Sequence, residues 1–214
     1  MSSEQVRRYF DREAERFDTI YREEKKLSQK LVDHLFRDVI HRRFRLTFEL
    51  CGEVSGKRIL DIGCGSGRFA VEFARLGAEV VGIDFAPGML EMAREAAKAA
   101  EVSDRCRFVN GDFLKWCEPD HFDICLAIGF FDYIEQPGVF LEKINRMRAE
   151  QVVFSFPVRW TLRSLSRWMR LNLNRCPVYF YNAKESVELL VDAGWKSVEI
   201  HRLSRDYLVC GRLD

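Results

Sequence analysis

Arg58-Ile59-Leu60-Asp61-Ile62-Gly63-Cys64-Gly65-Ser66-Gly67-Arg68 is the stretch that decides the fold of this 214-residue chain. An apolar run with strand character carries an acid at Asp61 and enters a turn. Glycine recurs there at alternate positions, 63, 65 and 67, and a helical pattern begins at Phe69. Glycine takes backbone dihedrals closed to other residues and lets a ligand come close to the main chain. A strand, a glycine turn and a helix N-terminus in that order form a nucleotide-type ligand site. The spacing narrows the ligand. A dinucleotide turn needs its third glycine at position 68, where this chain has arginine. The phosphate loop that ends in Gly-Lys-Ser/Thr is absent too.

Downstream of that turn, strand and helix patterns alternate. Strands are predicted at 58–62, 79–83, 106–110, 122–128 and 151–155, with helices at 67–76, 87–100, 137–148 and 183–193. Such alternation implies a parallel sheet with helices on both faces. Two more strands, 196–202 and 205–212, are joined by a link too short for a crossover, so they form an antiparallel hairpin. The predicted fold is therefore α/β, doubly wound and Rossmann-like, with seven strands and a reversed last strand. Upstream, Val6, Phe10, Ala14 and Phe17, then Leu27, Leu31, Leu35 and Val39, recur at helical spacing. Residues 1–56 are expected to form a helical cover over a domain of residues 57–214.

Bulk composition is that of an ordinary soluble domain, 47% hydrophobic and 31% charged. A net charge of +1 gives no global basic field, so nucleic acid is not the expected partner. Seven scattered cysteines without a Cys-x-x-Cys pair read as reduced thiols of a cytoplasmic protein, and no metal motif appears. The N-terminus lacks a signal-peptide core, and no apolar run is long enough to span a bilayer. Peripheral membrane contact and oligomeric state stay open.

The turn matches the pattern Asp-x-Gly-x-Gly-x-Gly and resembles the first motif of the class I S-adenosylmethionine-dependent methyltransferases. Three further segments resemble that family in order: Val80-Val81-Gly82-Ile83-Asp84-Phe85-Ala86, Phe108-Val109-Asn110-Gly111-Asp112-Phe113, and Phe122-Asp123-Ile124-Cys125-Leu126-Ala127-Ile128-Gly129. The likeness covers about residues 57–212 and is nearest to small-molecule enzymes of the quinone and magnesium-protoporphyrin O-methyltransferase type. It implies S-adenosylmethionine as cofactor and S-adenosylhomocysteine as product. Asp61, Gly63, Cys64, Gly65 and Gly67 are expected at the methionine end, with Tyr21 closing over it. Asp84 would take the ribose hydroxyls, because a carboxylate accepts from two donors at once. Asp112 would accept from the adenine amino group with Phe113 packed near the ring, and Phe85, Met89 and Ile128 complete the expected cofactor residues.

The acceptor is less determined. After the fourth strand, small-molecule members of the family often carry histidine, whereas this chain has Asp132-Tyr133. Those two are the candidates for substrate contact or proton handling. Between Gln151 and Ala183 there is no Asp or Glu, and Arg159, Arg163, Arg167 and Arg170 share a helical face. An inserted helical segment at about 157–182 is predicted after the fifth strand. Arg159, Arg163 and Arg167 are its candidate substrate residues, for an acidic or lipid-linked acceptor methylated at oxygen. The alternatives are a non-catalytic S-adenosylmethionine-binding regulatory protein and a protein or RNA methyltransferase.

Overall fold

A computed structural model describes residue 6 and residues 41–117, 121–159 and 176–213. The chain enters the described body as a helix over 41–51 (α1). It continues as β1 (Arg58–Ile62), α2 (Arg68–Arg75), β2 (Glu79–Asp84), α3 (Pro87–Ala99), β3 (Cys106–Asn110), β4 (Ile124–Ala127), α4 (Pro137–Arg146), β5 (Gln151–Pro157), α5 (Ala183–Asp192), β6 (Ser197–Arg202) and β7 (Asp206–Arg212). The sheet has seven strands in the order β3-β2-β1-β4-β5-β7-β6. The pairs among β1 to β5 are parallel, and β7 runs antiparallel to both β5 and β6. The fold and its reversed strand are therefore those expected from the sequence.

Period-two alternation sorts the strand residues between two cores. Leu60, Ile62, Cys125, Ala127, Val152, Phe154, Phe156 and Val209 face one side. Ile59, Ile124, Leu126, Val153, Leu208 and Cys210 face the other. A sheet covered on both faces reads as near-continuous apolar runs, and all seven residues of β5 are buried. On the first face Phe131 stacks on Phe156 at 4.9 Å and meets Phe154 edge-on at 5.3 Å. On the second, α1 packs Phe48 against Phe73 of α2 at 4.2 Å and Phe44 against Phe69 at 5.1 Å.

Two polar links fix α1 lengthwise. Its Leu50 carbonyl, a helix-end acceptor, accepts from Gln151 Nε2 at 2.7 Å and from Arg212 Nη2 at 3.4 Å. Near its other end Arg43 Nη1 meets the buried Asp206 carboxylate at 3.0 Å. The expected insertion leaves and returns at one point. Tyr181 N–H donates to the Pro157 carbonyl and Arg159 N–H to the Tyr181 carbonyl, both at 2.9 Å. That point is the carboxyl end of β5, where ligands bind in open α/β sheets. Residues 160–175, with Arg163 and Arg167, lie outside the described residues, as do Tyr21 and most of the expected N-terminal cover. Among the described residues no helix is long and apolar enough to cross a membrane.

Candidate active site

A cleft of about 640 Å³ opens beyond the carboxyl ends of β1, β2 and β3. Its walls come from the tips of those strands, the loop 110–115, the segment 130–136 and the start of α4, and Val6 also reaches it. The glycine turn shapes one end. Gly63, Gly65 and Gly67 all have φ between 53° and 73°, the left-handed region that favours glycine. A Cβ on Gly63 would lie 2.8 Å from Phe130 Cδ2, and one on Gly67 would lie 2.8 Å from Ala93 Cβ. A Cβ on Gly65 would meet nothing within 4 Å. The outer two glycines thus serve close packing, while the middle one faces open space.

Asp84 ends β2 and ties the turn to the next helix. One carboxylate oxygen accepts from Gly65 N–H and the other from Ala86 N–H, both at 2.9 Å. A carboxylate is acceptor-only, the type of group that takes hydroxyl donors. Asp61 is different. It is 3% exposed, and its Oδ2 is buried without a hydrogen-bond partner. Burial, and secondly the charge of Asp84, push its carboxyl up to about 7. Unpaired buried acceptors are uncommon and call for an explanation, and a cationic ligand group is one.

The far end of the cleft is the loop after β3. Asp112 Oδ1 accepts from Leu114 N–H at 3.0 Å, an Asx turn, which leaves the exposed carboxylate facing the cleft. Phe113 is buried and lies parallel to Phe140 at 6.2 Å. Lys143 of α4 locks this loop from behind: its ammonium donates to the carbonyls of Phe113, Leu114 and Trp116 and sits 4.8 Å over the Phe113 ring. Burial lowers the pKa of that ammonium.

Of the residues expected from the sequence, Gly63, Asp84, Phe85, Asp112, Phe113 and Tyr133 line one cleft. Asp61, Gly65 and Gly67 stand immediately behind it in the turn. Cys64 points elsewhere: a Cβ on Gly82 would lie only 2.8 Å from its sulfur, so it packs the turn onto β2. Burial raises that thiol, which keeps it protonated. Met89 packs with Ala86 and Phe85 in α3, and Ile128 joins the core on the α1 side; neither lines the cleft. Asp132 is 2% exposed, and its carbonyl accepts from Tyr179 N–H at 2.8 Å. Arg159 is at 3.3 Å from Glu185 of α5 and donates to the Phe180 carbonyl. Lys115, Glu135 and Gln136 line the cleft and were not anticipated.

The cleft therefore offers the Asp84 carboxylate and an acceptor, Asp112, beside the Phe113 ring, with the buried, unpartnered Asp61 oxygen behind it. This set is compatible with S-adenosylmethionine as the bound group.

Comparison with known proteins points the same way. Residues 59–150 match the family model described as a methyltransferase domain. The ubiquinone biosynthesis O-methyltransferase of Azorhizobium caulinodans is 35% identical over 112 residues, which are 52% of this chain and 44% of that protein. The match thus spans less than half the length of that relative. The magnesium-protoporphyrin O-methyltransferase of Rhodobacter capsulatus is 26% identical over 215 residues, covering 95% of this chain and 92% of that one. The crystal structure of magnesium protoporphyrin IX methyltransferase from Synechocystis PCC 6803 with bound SAH superposes with a TM-score of 0.75. It covers 98% of each chain at 18% identity, a likeness of fold.

Proposed function

We propose that this chain, a class I S-adenosylmethionine-dependent methyltransferase of the small-molecule type, methylates an oxygen of a small acceptor. The observation that carries the reading is the buried, unpartnered Asp61 oxygen held beside Asp84 and the left-handed glycine turn. A buried carboxyl with a second carboxylate beside it accords with a ligand that brings compensating charge and donors.

S-adenosylmethionine supplies a methyl carbon on a sulfonium, open to in-line displacement. The residues of this chain bind and orient. Asp61 holds the α-ammonium, Asp84 the ribose hydroxyls, and Asp112 the adenine amino group. Phe113, fixed by Lys143, gives the ring an apolar wall. The protein's main contribution is proximity, the alignment of acceptor oxygen and methyl carbon. Tyr133 lines the cleft and is the nearer candidate for acceptor contact; Asp132, one residue away and buried, is the candidate for positioning it.

The acceptor in this reading is acidic or lipid-linked. Support comes from the acid-free run between Gln151 and Ala183, rooted at the carboxyl end of β5. The relatives named for O-methylation support oxygen as the methylated atom. Seven free thiols accord with a cytoplasmic setting.

The test is incubation of the protein with methyl-labelled S-adenosylmethionine and a metabolite extract, followed by mass spectrometry for a small molecule gaining one methyl. Cofactor binding without any methylated product would sink methyl transfer and favour a binding protein. Replacing Arg163 and Arg167 together with alanine is expected to lower kcat/KM for the acceptor, or membrane association, by roughly ten-fold or more. If neither changes, the acceptor proposal fails.

A further inference from the structure

A second concavity lies between α1 and the β6–β7 hairpin, at the edge of the sheet opposite β3. It has a volume of about 520 Å³ and is lined by Arg42, Arg45, Leu46 and Glu49 of α1 and by Ile200 to Leu203. Three guanidinium groups face it: Arg42 and Arg45, one helical turn apart, and Arg202 across the groove. All three are exposed. None makes an ion pair or hydrogen bond with any described residue, although other arginines nearby do.

The neighbouring contacts sharpen the contrast. Arg43 is committed to Asp206 at 3.0 Å, and Arg212 to Glu199 at 2.9 Å. His201 faces Glu199 at 3.5 Å. Local acids thus hold Arg43, Arg212 and His201, and the one carboxylate in the groove, Glu49, pairs with none of the three free arginines. Like charges placed together without counterions repel. Surface arginines ordinarily splay apart or find carboxylates, and these three are gathered around one concavity without doing either.

The groove is rigid enough to serve. Arg43–Asp206 fixes one end of α1 to β7, the Leu50 carbonyl fixes the other to Gln151, and the Phe44 and Phe48 rings pin the helix to α2. Binding therefore requires little ordering of the backbone. Leu46, Ile200 and Leu203 supply an apolar lining beside the charges. The volume far exceeds that of an inorganic ion.

We propose that this groove binds the phosphate group of an organic phosphate, with Arg42, Arg45 and Arg202 as its ligands. Guanidinium offers two parallel N–H donors that match phosphate oxygens, and three of them satisfy a phosphate's acceptors better than a carboxylate's. The site is separate from the methyl-transfer cleft and does not depend on that reading.

The phosphate can come from a soluble metabolite or from a phospholipid headgroup, and the experiment separates them. Glycerol 3-phosphate is titrated calorimetrically into the full chain at low ionic strength. Vesicles of neutral lipid, with and without 30 mol% (roughly the usual anionic fraction) of an anionic phospholipid, are tested by co-sedimentation. Expected is binding to at least one probe that weakens with salt and falls roughly ten-fold for each of Arg42→Gln, Arg45→Gln and Arg202→Gln. Arg202→Glu should abolish it, while Lys98→Gln, on an exposed face of α3, should not change it. Binding of glycerol 3-phosphate assigns a soluble source, and binding of anionic vesicles alone assigns a headgroup. The proposal is overturned if neither probe binds, or if binding is the same in wild type and in the three glutamine variants. Circular dichroism of each variant checks folding, and the exposure of all three side chains makes loss of fold unexpected.

Discussion

Asp61→Asn should make the free protein more stable and its complex weaker, and the two effects can be read from one set of melting curves. The carboxyl of Asp61 is pushed from 3.8 to about 7 by burial first and by Asp84 second. A carboxyl with a raised folded pKa binds more protons in the native than in the unfolded state between those two values. Its contribution to stability is fully present below pH 3.8, is lost progressively as pH rises to about 7, and stays lost above. Three pKa units correspond to about 4 kcal/mol. Asparagine escapes that loss but leaves a buried amide to satisfy, at about 1–3 kcal/mol. The net gain at pH 8 is then about 1–3 kcal/mol, or roughly 2–10 °C in Tm for a chain of this size. At pH 4.5 the gain should vanish or reverse. S-adenosylhomocysteine, which carries the same α-ammonium, should raise the Tm of wild type far more than that of the variant. Loss of a charge-assisted hydrogen bond predicts roughly ten- to hundred-fold weaker binding by calorimetry. If wild type and variant melt in parallel from pH 4.5 to pH 8 and bind the ligand equally, Asp61 is neither a buried acid nor a cofactor residue.

The glycine turn gives a paired comparison. Gly65→Ala and Gly67→Ala impose similar left-handed strain, about 1–2 kcal/mol, but only Gly67→Ala drives a Cβ to 2.8 Å from Ala93. Urea denaturation should therefore show Gly67→Ala as the more destabilising by about 1–3 kcal/mol. Gly65→Ala should mainly weaken ligand binding, and equal destabilisation by the two would refute the division of roles. Lys143→Met should loosen the loop 113–116 and weaken S-adenosylhomocysteine binding roughly ten-fold, with little change in overall Tm. A large fall in Tm with unchanged affinity would instead make Lys143 a stabilising residue only.

What the sequence made legible was whatever depends on neighbours along the chain. The glycines, Asp84 and Asp112 sit at strand ends, so their register follows from the strands that carry them. Cys64 was misleading because its position in the turn does not reveal its direction: Gly82, on the next strand, leaves the space its sulfur fills. Ile128 and Met89 were ambiguous for the same reason, since sheet twist and helix rotation decide which face they turn to. Lys143 was invisible because the carbonyls it serves lie 27 to 30 residues earlier. Lacking acids within its own segment, the arginine run reads as unpaired along the chain, and Arg159 finds Glu185 beyond the end of that segment. Conversely, Arg42, Arg45 and Arg202 look like ordinary surface charges until the fold brings α1 beside β6.

The unpaired acid at Asp61 also bears on why the turn needs so many glycines. A buried carboxylate stays costly unless donors reach it, and here the nearby amides are already engaged elsewhere. Gly63 N–H donates to the Ile83 carbonyl at 2.8 Å, Cys64 N–H to the same carbonyl at 3.2 Å, and Gly65 N–H to Asp84 at 2.9 Å. The left-handed glycines turn those amides toward β2 and away from Asp61. The turn thus spends its donors on fixing β2 against β1 and on holding Asp84 in place. Asp61 is left with a buried side-chain oxygen that none of these amides reaches. A side chain at 63 or 67 would shift the loop, as the contacts with Phe130 and Ala93 show. An amide donor reaching Asp61 would stabilise its charged form, lower its pKa and reduce the need for a ligand's ammonium. On this argument the glycines act on the ligand less by yielding room than by keeping an acid unsatisfied.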